Sequence, residues 1–386
     1  MILADDDLAR FRSRAGALDR ENAFPHDDLA ELAASGYLRM LVPRELGGLG
    51  FGLQQAMREQ SRLASAAPAT ALAVNMHLVW TGVARLLREQ GDASLDYVLR
   101  EAAEGEIFAF GISEPGNDLV LFDSATRAEP QTDGGYAFTG TKIFTSLSPA
   151  WTRLGVFGRD DSGPEPVLVH AFLERGTEGI EILDDWDTIG MRASQSNTTR
   201  LGGAKAPADR VFGHRPPGPV PHPLVFAIFA NFLLLLSSVY AGLAQRGLEL
   251  GVDAARSRRS ARTGLTGDQH PETRWKLADA AIALDGLLPQ LETLARDLDE
   301  GVDRGDQWFR ALTGAKLRAT ETARYVVEQA VRVAGGRSYR AGDELGRLMR
   351  DVMAGAFHPS NEDSVHSTVA AALLGPIAAG STGEDE

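Results

Sequence analysis

A histidine lies near the end of the chain, in a short polar segment between two apolar, helix-like runs. The segment AFHPSNEDS places His358 directly before Pro359, Ser360 and Asn361. Proline, serine and asparagine suit a turn between two helices, whereas a turn has no need of an imidazole. Because histidine exchanges protons near neutral pH, His358 is a candidate general acid or base. The alternative is a structural or surface histidine.

Four arginines end a long apolar run in the sequence ARSRRSAR, residues 255–262. Cations at the carboxyl end of a helix are favoured by the helix macrodipole, which is the structural explanation. The functional explanation is an anion site, because guanidinium groups bind phosphate through paired hydrogen bonds. The residues by themselves leave both explanations open.

The chain lacks several motifs that define other chemistries. It has no G-x-S-x-G, H-E-x-x-H or P-loop sequence, its eight histidines are scattered singly, and it has no cysteine. Disulfides and thiolate chemistry are therefore excluded, and the sequence offers no sign of a zinc-protease or P-loop site. No metal site is predicted.

The composition indicates a globular protein of two or three domains. The chain has 386 residues, 44% of them apolar, with a net charge of −14 and a pI near 5.1. This acidity argues against a nucleic-acid partner, and the acidic N-terminus does not resemble a signal peptide, so we expect a cytoplasmic protein.

One apolar run, residues 223–245, is long enough to span a bilayer. It contains Asn231, Ser237 and Ser238, and the sequence offers no second span. A helix that is apolar on all sides is more often buried in a core or a subunit interface. We therefore predict a buried helix and no membrane partner.

Hydrophobic periodicity predicts the order helices, strands, helices. The predicted regions are residues 1–110, helical; residues 111–217, β; residues 218–380, helical; and residues 381–386, a disordered tail. In the first region, Asp27 is a predicted helix N-cap and Gly36 a predicted helix end.

Seven segments, in chain order, resemble the acyl-CoA dehydrogenase superfamily of flavoproteins. They are LVPRELGGLG (41–50), FGISEPG (110–116), GTKIFTS (140–146), WDTIGMRASQSN (186–197), APADRVFG (206–213), AGLAQRGLELG (241–251) and VAGGRSY (333–339). The resemblance implies an N-terminal α-helical domain, a central β-barrel and a C-terminal four-helix bundle. It also implies a homodimer or homotetramer.

The resemblance further implies a flavin between the barrel and the bundle. By motif position, Phe110, Ile112 and Ser113 would lie along the flavin edge. Phe144 would lie against the ring, and Ser146 next to flavin N5. A hydroxyl at that place can stabilise charge as the flavin is reduced, so Ser146 is a candidate catalytic residue.

Three further residues match positions that contact the cofactor phosphates in the family. They are Arg258, Gly335 and Gly336, the two glycines coming from a neighbouring subunit. The aromatic residue and glycine that follow this arginine in the family are Ala261 and Arg262 here. The adenine half of the site is therefore altered, and the implied flavin is FAD or FMN.

The dehydrogenases of this family use a glutamate to remove the α-proton of an acyl thioester, because that C–H bond is too weakly acidic to ionise unaided. The matching residue here is Pro359. Members that carry the base on the long bundle helix would have it at Phe232, and their adjacent arginine is Leu233. Glu362 is the one nearby candidate for a relocated base.

A histidine directly before that proline resembles the flavin-dependent monooxygenase branch, whose members take reduced flavin from a separate reductase and react it with O₂. The resemblance favours an O₂-activating monooxygenase with His358 as a proton shuttle. Its substrate would be a small organic or carrier-bound molecule, in a pocket lined by residues 223–245 and a loop at 76–80. Two alternatives stay open: an acyl-CoA or acyl-carrier-protein dehydrogenase with a relocated base, and a non-catalytic flavin-binding homologue.

Overall fold

The computed structural model describes residues 1–375 of the 386-residue chain. Along this part of the chain, helices come first, strands follow and helices return, which confirms the predicted order. The tail predicted to be disordered, residues 381–386, and the preceding residues 376–380 lie outside the described residues.

Five α-helices precede the strands in the described chain. They are α1 (Asp5–Glu21), α2 (His26–Ser35), α3 (Leu53–Ala66), α4 (Pro68–Glu89) and α5 (Asp96–Glu104). The predicted end of α2 at Gly36 is confirmed, because Gly36 has a φ of 83°, which glycine adopts without strain. The predicted N-cap at Asp27 is wrong: α2 begins at His26, so Asp27 lies in its first turn, where the macrodipole favours a carboxylate.

Eight strands form one sheet in the middle of the chain. They are β1 (Phe108–Gly111), β2 (Arg127–Pro130), β3 (Tyr136–Lys142), β4 (Arg153–Asp160), β5 (Val167–Glu174), β6 (Ile180–Ile182), β7 (Thr199–Ala206) and β8 (Val211–Arg215). The strand order is β6-β7-β3-β2-β4-β5-β8, and β1 pairs in parallel with β4. The end of β3 and the start of β7 are neighbours, because Lys142 pairs with Thr199. This pairing brings together two of the segments that carry predicted flavin contacts.

Five helices follow the sheet in the described residues, and the first of them is the centre of the core. They are α6 (Pro223–Ser257), α7 (Pro271–Asp299), α8 (Gln307–Ala334), α9 (Glu344–Asp351) and α10 (Glu362–Leu374). Helix α6 packs against α3, α4, α7 and α8. Within residues 1–375 it is the one helix long and apolar enough to cross a membrane, and 89% of its most apolar window is buried inside the fold. That degree of burial is typical of a core helix.

The indole of Trp80 joins the N-terminal helices to the sheet. Its Nε1 donates a hydrogen bond of 2.9 Å to the carbonyl oxygen of Ala109 in β1. Its ring contacts the ring of Phe110 at a centroid distance of 5.4 Å and that of Phe172 at 4.8 Å. The indole lies so close to Gly155 in β4 that a Cβ there would come within 2.3 Å of it. Helix α4 therefore contacts β1 directly beside the predicted flavin edge.

A buried ion pair fixes the part of the chain that follows β1. The Lys142 ammonium at the end of β3 donates a 2.6 Å hydrogen bond to Glu114, and both side chains are buried. Glu114 also accepts hydrogen bonds from the Ser124 hydroxyl and from the backbone amides of Ala125 and Thr126. Burial opposes the ionisation of Glu114, but Lys142 and these hydrogen bonds outweigh it and lower its pKa to about 2.

We predict that Glu114→Gln lowers the free energy of unfolding by about 3–5 kcal/mol, because it leaves the Lys142 ammonium buried without its counter-charge. The ordinary pKa of a glutamate is 4.5, and that of Glu114 in the folded protein is about 2. The stability that the ion pair adds to the parent protein should therefore be present above pH 4.5 and lost as the pH falls toward 2. Denaturant unfolding across this range measures both effects. The matched control is Glu114→Gln combined with Lys142→Met, which removes both charges and should be clearly more stable than Glu114→Gln alone. Equal stability of the parent and the single variant would contradict the pairing.

Candidate active site

The chain after β3 places Phe144 and Ser146 against the segment 186–197. Phe144 has a φ of 58°, an uncommon backbone conformation for a non-glycine residue. Its ring is 52% exposed and meets the ring of Trp186 edge-on at 6.1 Å. The Ser146 hydroxyl is buried and lies 2.8 Å from the hydroxyl of Ser196, which lies 2.8 Å from that of Ser194. Three hydroxyls thus form one hydrogen-bonded chain that begins beside an exposed aromatic ring.

The predicted flavin-edge residues lie at the end of β1. Ile112 is buried, and the half-buried ring of Phe110 stacks on Phe232 of α6 at 5.5 Å and 19°. The carbonyl of Ser113 accepts a 2.9 Å hydrogen bond from the amide of Ile143. Among the described residues Ser113 makes no other hydrogen bond, so its hydroxyl and amide are free to bind a ligand.

Neither position of the family's catalytic glutamate carries an ionisable group. Phe232 is 9% exposed and packs on Phe110, and Leu233 beside it is buried. Pro359 can accept no proton. Glu362, the candidate relocated base, lies in the first turn of α10 with its side chain exposed. The helix N-terminus favours its charged form, which is a structural explanation for this glutamate.

A buried lysine holds the loop that carries His358. The ammonium of Lys316 in α8 donates hydrogen bonds to three backbone carbonyls, those of Gly355 at 3.0 Å, His358 at 2.8 Å and Ser360 at 2.8 Å. An ammonium has three N–H donors and here each has one acceptor. Lys316 is 1% exposed, and burial lowers its pKa to about 8. Lys316 thus holds the loop through backbone carbonyls, and the side chains of the loop residues are not needed to hold it.

The imidazole of His358 faces Tyr240 of α6 and has an unpaired ring nitrogen. The two rings meet edge-on at 5.9 Å. The His358 Nε2 is a buried atom without a hydrogen-bond partner in the described structure. Burial and then the Lys316 charge lower the pKa of His358 to about 3, so the ring is neutral at physiological pH. A neutral imidazole with an unpaired buried nitrogen can exchange a proton with a bound ligand.

The hydroxyl chain and the histidine loop are tied together through Asp351. Its carboxylate accepts a 2.6 Å hydrogen bond from the amide of Met191, which lies in the segment 186–197. Arg350 donates to the carbonyl of Ile189 at 2.8 Å. The segment that carries Ser194 and Ser196 is therefore fixed to the chain just before His358.

The predicted phosphate contacts lie together at the far end of α6. Arg258 donates a 3.3 Å hydrogen bond to the carbonyl of Val333, and a Cβ on Gly335 would come within 2.6 Å of its guanidinium. Gly336 follows in the same turn, with open space around it. Arg258 and the two glycines thus lie together in one chain, and the contact of the glycines with the cofactor of a neighbouring subunit stays a prediction.

The length of α6 separates Arg258 from the predicted flavin-edge residues. Arg258 follows Phe232 by 26 residues along α6, which at 1.5 Å per residue is about 39 Å. That separation is far larger than the distance between the ring and the phosphate of one flavin. Arg258 and the glycines of one chain therefore cannot contact the phosphate of a flavin that lies against Phe110 of the same chain.

The expectation of a loop at residues 76–80 is wrong, because these residues belong to α4. His77 is fully buried there, with its Nε2 2.6 Å from the carbonyl oxygen of Leu38. Trp80 is the one of these residues that contacts Phe110. Sequence reasoning also missed Tyr240 and Lys316. The signal available for Lys316 was its helical spacing from buried Leu312 and Thr320, which places it on the apolar face of α8.

The residues present fit a flavin. A flavin ring is planar and polar at one edge, and the site offers the exposed ring of Phe144 beside the free donors of Ser113. The hydroxyl of Thr145 is also a buried atom without a partner in the described structure. The Thr145 hydroxyl and the Ser113 donors are therefore available to a bound flavin.

We predict that Lys316→Met loosens the histidine loop, because three carbonyl groups lose their shared donor. Hydrogen bonds to charged groups are worth about 1.5–3 kcal/mol each, and the cost of burying the ammonium offsets part of this, so we expect a net loss of about 1–3 kcal/mol in unfolding free energy. Amide hydrogen exchange should rise in residues 355–361. The matched control is Lys205→Met, at an exposed position in β7. Unchanged exchange in the loop would contradict the proposed role of Lys316.

Known proteins have sequences similar to that of this chain. Residues 7–106 match the acyl-CoA dehydrogenase N-terminal domain, and residues 234–362 match the C-terminal domain. The chain is 30% identical to the L-evernosamine nitrososynthase of Micromonospora sp. over 363 residues, 91% of this chain and 83% of that protein. It is 27% identical to the dibenzothiophene monooxygenase of Rhodococcus erythropolis over 371 residues, 90% of this chain and 87% of that protein.

A solved structure extends the likeness to the whole fold. KijD3 in complex with FMN and dTDP-3-amino-2,3,6-trideoxy-4-keto-3-methyl-D-glucose is similar with a TM-score of 0.84 at 28% identity. The similarity covers 96% of this chain and 92% of KijD3. The chain therefore belongs to the acyl-CoA dehydrogenase superfamily, in which it is a flavin-dependent oxidoreductase of the monooxygenase type rather than a dehydrogenase.

Proposed function

We propose that this protein uses reduced FMN and O₂ to oxygenate a small, largely apolar organic molecule. The observation that carries the proposal is the replacement of both possible bases by Phe232 and Pro359, next to a histidine whose buried Nε2 has no partner in the described structure. A pocket without a carboxylate base cannot remove the α-proton of a thioester efficiently. A neutral imidazole is suited instead to moving a proton between the substrate and the oxygen species.

Each residue of the site has one role in this proposal. Reduced flavin, when bound, would supply the electrons that activate O₂. Ser146 would donate a hydrogen bond at the flavin edge, supported by the hydroxyls of Ser196 and Ser194 behind it. His358 would exchange a proton with the substrate through Nε2, and Lys316 would hold the histidine loop without touching the substrate.

Two observations favour FMN over FAD, and a third favours an oligomer over a monomer. Ala261 and Arg262 replace the aromatic residue and glycine expected after Arg258, and KijD3 was solved with FMN. Arg258 lies too far along α6 to reach a flavin bound at Phe110 of its own chain, so it would serve the flavin of a neighbouring subunit. We further propose a homodimer or homotetramer in the cytoplasm, supplied with reduced flavin by a separate reductase.

The substrate class follows from aromatic residues beside Phe110. Phe226, Phe229 and Phe232 lie at three-residue intervals on α6, along about 9 Å of the helix. Phe229 stacks on Phe122 at 5.9 Å and meets Phe309 edge-on at 5.5 Å. Half-buried aromatic faces favour planar apolar ligands over charged ones, so a heteroaromatic compound is the preferred substrate.

The second candidate substrate is an amino sugar linked to a nucleotide. It is favoured by the nitrososynthase relative and by the ligand of KijD3. The oxygenated atom would then be the sugar amine, and His358 would take its proton.

The proposed function is tested with reduced FMN, O₂ and both substrate classes. We expect product from dibenzothiophene or indole, or from a dTDP-amino sugar, and we expect reduced FMN to bind more tightly than oxidised FMN. Butyryl-CoA or octanoyl-CoA with an artificial electron acceptor should turn over about 10²–10⁴-fold more slowly than with a dehydrogenase that has its base. Robust acyl-CoA turnover would overturn the proposal and identify Glu362 as the next residue to change.

We predict that His358→Ala uncouples the reaction and leaves folding and reduced-flavin binding nearly intact. Lys316 holds the main chain of the loop, so removal of the imidazole should change proton transfer more than structure. Product yield should fall about 10²-fold while O₂ is still consumed and H₂O₂ is released. Because its pKa is about 3, His358 should add no inflection near pH 6.5 to the rate profile. The matched control is His366→Ala, at an exposed histidine of α10. A product yield equal to that of the parent enzyme would remove His358 from the mechanism.

A further inference from the structure

A cationic cavity lies away from the residues of the flavin site, between α1 and the start of α9. Its volume is about 180 Å³. Its lining comes from the C-terminal half of α1, with Arg12, Ser13, Gly16, Asp19 and Arg20, and from the residues Ala341, Gly342, Asp343, Glu344 and Arg347.

The three arginines of the cavity differ in how they pair with carboxylates in residues 1–375. Arg12 and Arg20 make no ion pair within that part of the chain. The Nε of Arg12 is also buried without a hydrogen-bond partner there. Arg347 is 5% exposed, and its nearest carboxylates, those of Asp351 and Glu344, lie 3.7 and 3.9 Å away. Both distances exceed a normal hydrogen bond.

The acidic residues of the lining are neutralised by other arginines. Asp19 binds Arg350 through both oxygens, at 3.0 and 2.6 Å. Glu344 binds Arg246 through both oxygens, at 3.0 and 2.9 Å.

The remaining acidic residue, Asp343, caps α9 and pairs with Arg337. It accepts a 3.0 Å hydrogen bond from the amide of Leu345, and its other oxygen lies 3.3 Å from the Arg337 guanidinium. The carboxylates of the lining are thus already paired. Burial lowers the pKa of Arg12; the guanidiniums of Arg246 and Arg347 lower it further, whereas the carboxylates of Glu344 and Glu249 raise it.

We propose that this cavity binds a phosphate group through Arg12, Arg20 and Arg347. Guanidinium forks match the oxygens of a tetrahedral oxyanion, and several arginines around one cavity are typical of phosphate sites. A volume of about 180 Å³ holds a few small groups, given that one water occupies roughly 30 Å³ in the liquid. The ligand is therefore inorganic phosphate or the phosphate end of a phosphate ester.

The position of the cavity gives the bound anion a structural effect. Arg347 lies in α9, and α9 ends at Asp351, which binds the amide of Met191. Arg12 and Arg20 lie on α1. An anion that joins these arginines would link the N-terminal helix to the element that leads into the histidine loop. It would stabilise the folded state by an amount that rises with the concentration of free anion.

Calorimetric titration of the full-length protein with inorganic phosphate and with glycerol 3-phosphate tests the proposal. The ionic strength is held constant with sodium chloride. We expect saturable binding with one site per chain below about 10 mM and a matching rise in melting temperature. Affinity for glycerol 3-phosphate above that for phosphate would identify an ester as the ligand, and equal affinities would identify free phosphate; either outcome supports the site.

Two exposed or half-exposed arginines allow a variant that still folds. Arg12→Gln combined with Arg20→Gln should weaken phosphate binding at least roughly tenfold. The matched control is Arg10→Gln, which lies on the same helix and is paired with Asp7 and Glu31 instead of lining the cavity. Arg10→Gln should bind phosphate like the parent. The proposal is overturned if the parent shows no saturable binding, or if the double variant binds phosphate as well as Arg10→Gln does.

Discussion

The need to bury α6 determines the arrangement of the rest of the structure. The apolar part of α6, residues 224–244, contains no exposed residue, because helices from both ends of the chain cover it. Its burial brings three of its residues to different places: Phe232 to the end of β1, Tyr240 to the histidine loop and Arg258 to the turn at Gly335. The distances between these places are set by the rise of one continuous helix.

Two buried lysines fix the parts of the site that do not lie on helices. Lys142 binds Glu114, which directly follows Ser113 at the predicted flavin edge, and Lys316 binds the main chain around His358. Each ammonium is removed from water: Lys316 donates to three backbone carbonyls, and Lys142 donates to Glu114 and to the carbonyl of Phe157. Because an unsatisfied buried charge is costly, few other conformations of these segments are stable. The polar groups of the site are therefore held in place before any ligand binds.

Much of the fold could be predicted from the sequence because its elements have clear periods. The predicted helical region at residues 218–380 contains α6, α7 and α8, and the predicted β region at residues 111–217 contains seven of the eight strands. Residues 76–80 were predicted as a loop because α4 is buried on nearly all sides and shows no polar face. The role of Lys316 could not be predicted, because its acceptors are backbone carbonyls 39 to 44 residues further along the chain. The motif around Arg258 predicts a phosphate contact, but only the length of α6 shows that Arg258 lies too far from Phe110 to contact the same flavin.

The stack of Phe232 on Phe110 also bears on how this branch of the family could have evolved. A glutamate at position 232 would be a carboxylate between Phe110 and the buried aliphatic residues of α6, without the arginine that Leu233 has replaced. An unpaired buried charge costs several kcal/mol, a large share of the 5–15 kcal/mol by which typical domains are stable. A base at position 232 would therefore require the glutamate and its counter-charge to arise together, whereas a glutamate at position 359 would lie on a loop whose main chain Lys316 already holds. The stack thus makes position 232 the harder of the two base positions for a single substitution to restore.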